Sequence, residues 1–208
     1  MHGAVEPRTY ERNACVVFRK TGDRFGGLSN MASGYPICLN ETYIATSEAL
    51  YQACRFPHLP DVQRKIIGET SPMTAKMRGK PHRKDTRADW EEVRVMIMRW
   101  SLRAKLIQNW DKFRTLLLLT DDSPIVEDSR RDRFWGAVVG KQDVDILEGC
   151  NVLGRLLMEL REQVRDVSAD QWRALRPLEI RDFLLLGEPI RVTHREDSPT
   201  RRAGQLAF

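Results

Sequence analysis

Apolar positions recur along the chain at two spacings, and together they predict a helix-rich domain with a few short strands. Thr46 or Ser47 can cap a helix running through Glu48, Leu50, Tyr51 and Cys54, and Pro57 stops it. Pro60-Asp61 opens a second helix through Val62 and Ile66 to Gly68. Ser71-Pro72, a cap followed by proline, opens a third through Arg78, with Gly79 as its stop. Asp89 caps the longest, from Trp90 to about Asn109. Here Trp90, Val93, Ile97, Trp100, Ala104 and Ile107 form one stripe, and Val95, Met98, Leu102 and Lys105 form another. A helix apolar on two sides belongs in the middle of a core. Asp111–Leu119 makes a fifth helix. A sixth runs from about Asn151 to Arg165, with Leu153, Leu156, Leu157 and Leu160 turned inward.

Shorter apolar runs predict strands. Cys15–Phe18 ends at the turn Lys20-Thr21-Gly22-Asp23, and Tyr35–Leu39 and Thr42–Ile44 flank a turn at Asn40-Glu41. Ile125-Val126 and Phe134–Val139 flank the charged turn Asp128–Arg133. Helices and strands do not alternate regularly, so the expected class is α+β, a single helix-rich domain over residues 15–165. Residues 1–14 are polar and read as a flexible lead-in. Residues 166–208 change character. Phe183–Leu186 and Ile190–Val192 flank Gly187-Glu188-Pro189, which reads as a hairpin-like appendage followed by a loose tail.

Composition narrows the function classes only a little. The 208 residues are 41% hydrophobic and 30% charged, the balance of a globular protein, and no apolar run approaches the length of a membrane span. The N-terminus lacks the basic-then-apolar layout of a signal peptide, which places the protein in the cytoplasm. Four scattered cysteines and four scattered histidines include no CxxC pair and no ligand-spaced set, so neither a disulfide framework nor a metal site is expected. The formal net charge of +5 favours phosphate-bearing partners. The 34 basic and 29 acidic residues are interleaved, however, and a solvated mixed surface accounts for them equally well.

No standard catalytic motif is present; the informative positions are polar residues where the pattern expects apolar ones. Glu48 lies in the first turn of its helix, where a carboxylate can serve chemistry or simply complement the helix dipole. Lys105 continues an apolar stripe, from which lysines also snorkel to solvent. From Glu127 to Gly136, six charged residues run into Phe134-Trp135-Gly136, which fits an active-site loop as well as a solvated turn before a core strand. Asn151 reads as a helix N-cap whose neighbouring peptide N–H groups are open to a phosphate.

Taken in order, a series of short segments is similar to the NADAR (YbiA-like) family over roughly residues 15–165. They are Leu28-Ser29-Asn30, Ser47-Glu48 with Tyr51-Gln52-Ala53, Ser71-Pro72 with Ala75-Lys76, and Asp89-Trp90. Met98, Leu102 with Ala104-Lys105-Leu106, and Leu117–Thr120 continue the series. Val126-Glu127, Asp132 with Phe134-Trp135-Gly136, and Asn151 with Leu153-Gly154, Leu157-Met158 and Arg161 close it. The chain departs from the family at Ala49, Leu50 and Leu106 and in the stretch Ala137–Gly140 with its acidic insert, positions that bear on substrate choice more than on the reaction.

The resemblance implies an α+β domain that binds ADP-ribose or a ribose phosphate and breaks a bond between ribose C1 and an exocyclic nitrogen, with no cofactor or metal. Glu48 and Asp132 are then the expected catalytic carboxylates. Lys105 is either an amine that captures the opened sugar as a Schiff base or a binding group. Trp90 and Trp135 with Gly136 are expected to wall the base or ribose. Ser29, Asn30, Asn151 and Gly154 are expected to contact hydroxyls and phosphates. Three readings follow. The first is a hydrolase removing ADP-ribose from the guanine amino group in nucleic acid, DNA before RNA, with an ADP-ribosyltransferase toxin as a partner. The second is an N-glycosidase of ribosylaminopyrimidine intermediates of riboflavin synthesis, and the third a non-catalytic ADP-ribose-binding module.

Overall fold

A computed structural model describes residues 6–199. In chain order its strands and α-helices are β1 (Arg8–Glu11), β2 (Val16–Phe18), β3 (Ile37–Leu39), β4 (Thr42–Ile44), α1 (Ser47–Ala53), α2 (Pro60–Ile67), α3 (Pro72–Gly79), α4 (Trp90–Gln108) and α5 (Trp110–Leu118). They continue with β5 (Ile125–Glu127), β6 (Val138–Val139), β7 (Ile146–Gly149), α6 (Val152–Asp166), β8 (Ala174–Leu175), β9 (Leu184–Leu185), β10 (Glu188–Pro189) and β11 (Thr193–His194). Six helices with several small sheets make an α+β protein. No described helix is long and apolar enough to cross a membrane, and all four cysteines are free thiols.

The described chain forms two compact units. One comprises residues 6–29 and 114–167. In it β1, β7 and β6 form an antiparallel sheet in that order, and β2 pairs with β5 in parallel. Tyr10, Val126, Ala137 and Leu147 are the buried heart of a cluster against which Cys15 and Val17 pack. Two of these strands depart from the sequence reading. Residues 8–11, taken as lead-in, are β1, and part of the acidic insert is β7. Their partners lie more than 130 residues apart, and neither strand has an apolar run of its own. Conversely, the strand expected over Phe134–Val139 shrinks to β6, because residues 133–136 turn their carbonyls to the start of α6.

The other unit comprises residues 30–113 and 168–199. Its centre is α4. Apart from the half-buried Val95, both of that helix's stripes are buried, with Ile97, Ala104 and Ile107 at 0% exposure on one and Met98, Leu102 and Lys105 at 2% or less on the other. Helices α1, α2 and α3 pack on one another. The β3–β4 hairpin turns at Asn40 and Glu41, both at positive φ, as a tight two-residue hairpin requires.

Residues 168–199 are part of this unit. Gln63, fully buried, donates to the Leu184 carbonyl and accepts from the Leu186 N–H. Gln108 donates to Thr193, Trp100 donates to the Arg176 carbonyl, and Trp100 meets Phe183 edge to face at 5.0 Å. The hairpin expected around Gly187 is β9–β10, turning at Leu186 and Gly187. The tail beyond residue 199 and the first five residues of the lead-in lie outside the described residues.

Candidate active site

Glu48 is placed by the start of α1. Thr46 is the N-cap, its hydroxyl accepting from the Ala49 N–H at 3.2 Å. The next two residues reach back to the preceding loop, where the Asn30 carbonyl accepts from the Glu48 N–H (3.0 Å) and from the Ser47 hydroxyl (3.1 Å). This staple puts the Asn30 side chain over the Glu48 carboxylate. Asn30 Nδ2 donates to Oε2 at 2.5 Å, and Gln52 Nε2, one helical turn on, donates to Oε1 at 2.9 Å. The carboxylate is 3% exposed. Burial raises its pKa, while the Lys76 charge, the Gln52 hydrogen bond, the Arg55 charge and the Asn30 hydrogen bond each oppose the rise. Burial thus favours the protonated carboxyl, while the two amide donors hold it in one orientation.

Around it lie Tyr51 and Trp90, their rings 5.0 Å apart, with the Arg55 guanidinium 5.1 Å from the Trp90 ring. Trp90 is 7% exposed, a wall of this cluster. Burial also pushes the Cys54 thiol up to about 12, which leaves it an inert core residue.

Lys105, expected as a Schiff-base amine or a binding group, lies on the buried face of α4. Its side chain is 0% exposed and its amine lies 4.4 Å from the Tyr35 ring and 4.3 Å from the Phe113 ring. Burial, and then the charge of Lys112, push its pKa well below the ordinary lysine value. Stacking against rings favours an ammonium by about 2 kcal/mol when dry, whereas desolvating a charge costs several. Desolvation is the larger effect, and the shift is downward, toward the neutral amine. The cations that act most on Glu48 are Lys76 and Arg55, not Lys105. Lys76 lies on the exposed side of α3. In sequence it sits in a run of surface charges, and only the packing of α3 on α1 brings its charge to bear on Glu48.

In the other unit, Asp132 is exposed and braces its loop. Its Oδ1 accepts from the Phe134 and Trp135 N–H groups, both at 2.9 Å, and its Oδ2 takes no hydrogen bond among the described residues. Trp135 is half-buried and meets Phe134 edge to face at 5.1 Å. A Cβ on Gly136 would stand 2.6 Å from the Glu127 carbonyl, so this glycine serves a close backbone approach. Ser29 is buried, its N–H closing a short turn on Gly26.

At Asn151, where a phosphate contact was expected, the backbone N–H groups are bonded within the protein. The N–H groups of Cys150, Asn151, Val152 and Leu153 donate to the carbonyls of Arg133, Gly136, Phe134 and Trp135. No donor among these four is left for a ligand. Asn151 occupies the N-cap position of α6 at φ 47° but makes no side-chain cap. Its amide pins β5 instead, accepting from the Glu127 N–H and donating to the Ile125 carbonyl. Gly154 lets that strand come close, since a Cβ there would overlap the Ile125 carbonyl and the Asn151 side chain.

The family model of the NADAR domain matches residues 17–165. The chain is 38% identical over 154 residues to N-glycosidase YbiA of Escherichia coli, covering 74% of this chain and 90% of that protein. It is 34% identical to an N-glycosidase of Nostoc punctiforme, with 73% and 94% covered. The NMR structure of E. coli YbiA superposes with a TM-score of 0.61 at 36% identity, covering 74% of this chain and 86% of that one. Matched across nearly the whole length of these glycosidases, the chain is an enzyme of their kind and belongs to the NADAR family.

Proposed function

We propose that this enzyme hydrolyses the bond between ribose C1 and the exocyclic nitrogen of a base, with Glu48 as the catalytic carboxylate. The supporting observation is a single buried carboxyl gripped by Asn30 and Gln52 with its pKa raised. Such a group gives a proton to the nitrogen as the C1–N bond breaks, then takes one from the water whose oxygen joins C1. Ribose with a free C1 hydroxyl and the free amine leave. Lys76 is the cation best placed to act with Glu48. A ribosylamine also opens to an iminium, and the Lys76 amine can add to its C1, expel the base amine and hand the sugar on to water. Asp132, with one oxygen unbonded among the described residues, is the second carboxylate candidate.

For the substrate we favour ADP-ribose on the guanine amino group of nucleic acid. Lys76, Lys80, Arg83 and Lys84, on α3 and the turn after it, are exposed and in no ion pair among the described residues, a cationic strip suited to phosphates. The second reading, a ribosylaminopyrimidine phosphate, is favoured by two relatives. A riboflavin biosynthesis protein of Zea mays is 34% identical and one of Vibrio vulnificus 31% identical, although the chain spans only 26% and 39% of their lengths.

Offering both substrates and weighing the products separates these readings. Release of free ADP-ribose with unmodified guanine supports the first, turnover of the pyrimidine alone supports the second, and inertness toward both defeats the glycosidase assignment. Borohydride added during turnover should tether sugar to Lys76. Tethering at Lys105 would assign the Schiff base to that residue instead.

A further inference from the structure

Family relatedness stops near residue 165, and residues 168–199 lie outside it, yet a chain of hydrogen bonds connects them to Glu48. Gln52 donates through Nε2 to Glu48 and accepts through Oε1 from Arg55 Nη1 at 3.3 Å. A guanidinium has donors only, so it must face the oxygen of the Gln52 amide, and this turns the NH2 toward the carboxylate. Without it, the amide is free to flip and present its oxygen to Glu48. Arg55 is fixed in turn. Its Nη2 donates to Thr86 Oγ1 at 3.1 Å, its carbonyl accepts from the Arg87 N–H at 2.9 Å, and its guanidinium lies beside the rings of Phe56 and Trp90.

The Thr86–Arg87 segment is held by the extension. The Arg87 side chain, 5% exposed, forms a two-pronged pair with Asp89 at 2.6 and 2.9 Å. Its remaining donors go to the backbone carbonyls of Arg181 and Asp182. Every link lies within one unit.

We propose that Arg55 is a positioning residue for Glu48, and that residues 181–182 of the C-terminal extension hold Arg55 in place through Arg87. The proposal rests on the assignment of Glu48 as the catalytic carboxylate. Other charges facing this cluster are Lys76 on α3, Glu91 and Arg94 on α4 with Tyr51 on α1, and Arg83, which acts on Arg55. The ionisable groups of α2 (Asp61, Arg64 and Lys65) and Tyr43 of β4 are exposed.

The test compares Arg55→Met, Thr86→Val, Arg87→Lys and the Thr86→Val/Arg87→Lys double variant with the wild type. Activity is followed as kcat and KM against pH, folding by thermal melting, and the Glu48 carboxyl by 13C NMR titration, its signal assigned with Glu48→Gln. For Arg55→Met we expect the Glu48 titration and the alkaline limb of kcat to move up together by about one pH unit, a tenfold change in the ionised fraction. KM should change less than about twofold, because Arg55 acts through Glu48 and not on uniform binding. Thr86→Val and Arg87→Lys should give smaller shifts the same way that do not add in the double variant. A fall in kcat with the titration unmoved in Arg55→Met would overturn the role of Arg55. Additive shifts, or none from Arg87→Lys, would overturn the role of the extension. If the wild type turns over no ribosylamine, the glycosidase reading fails while the NMR titration still decides whether Arg55 sets Glu48.

Discussion

The starts of α1 and α6 carry the same sequence signal, a small polar residue ahead of an apolar helix, and the molecule uses them in opposite ways. At α1 the cap is local. Thr46 satisfies Ala49, the loop carbonyl of Asn30 receives Glu48 and Ser47, and the helix is left with a buried carboxylate held by side-chain amides. At α6 the backbone donors of four successive residues are used by the 133–136 loop, and Asn151 bonds a strand instead of capping. A polar residue at a helix start therefore does not by itself mark a site. The distinction is whether the polar groups converge on an ionisable group or on backbone.

The sharpest way to break that comparison is Glu48→Gln. It should lower kcat by about 10²–10⁴-fold, the usual worth of a general acid or base. The same change should raise the melting temperature at pH 7. Folding raises the pKa of Glu48, so above the ordinary 4.5 the native state holds a proton the unfolded chain has lost, and its stability falls as pH rises. The gain from glutamine should accordingly vanish below 4.5. Equal melting curves at both pH values would mean the carboxyl is not perturbed by burial.

At α6 the effects should fall on stability. Gly154→Ala, which drives a methyl group into the Ile125 carbonyl, should cost at least about 3 kcal/mol in urea unfolding. Asn151→Ala strands the Glu127 N–H and the Ile125 carbonyl and should cost about 2–4 kcal/mol. Activity per folded molecule should survive both. A selective loss of substrate binding at unchanged stability would return α6 to the site.

The smallest effect is expected at Lys105, a buried ionisable group packed against the Tyr35 and Phe113 rings. Lys105→Met should change kcat less than about tenfold and stabilise the fold at neutral pH. Folding lowers the pKa of Lys105, so native stability rises as pH climbs toward the ordinary 10.5, and the advantage of methionine should shrink over that range. Loss of turnover of the size expected for Glu48→Gln would make Lys105 catalytic.

Much of the fold was legible in the sequence. Six helices, the Asn40-Glu41 turn and both buried stripes of α4 follow from caps, prolines and a period of 3.6, because those are local signals. So was Glu48, as a charged residue among apolar ones. The tertiary structure alone decided which groups meet it. Pairing of β1 with β7, the capture of the α6 amides by the 133–136 loop and the approach of Lys76 to Glu48 all join residues far apart along the chain. No period records such meetings. Exposure drew the last distinction: Lys105 and Lys76 are the same residue type on helices, and only packing made one a core amine with a lowered pKa and the other a surface charge acting on the Glu48 carboxylate.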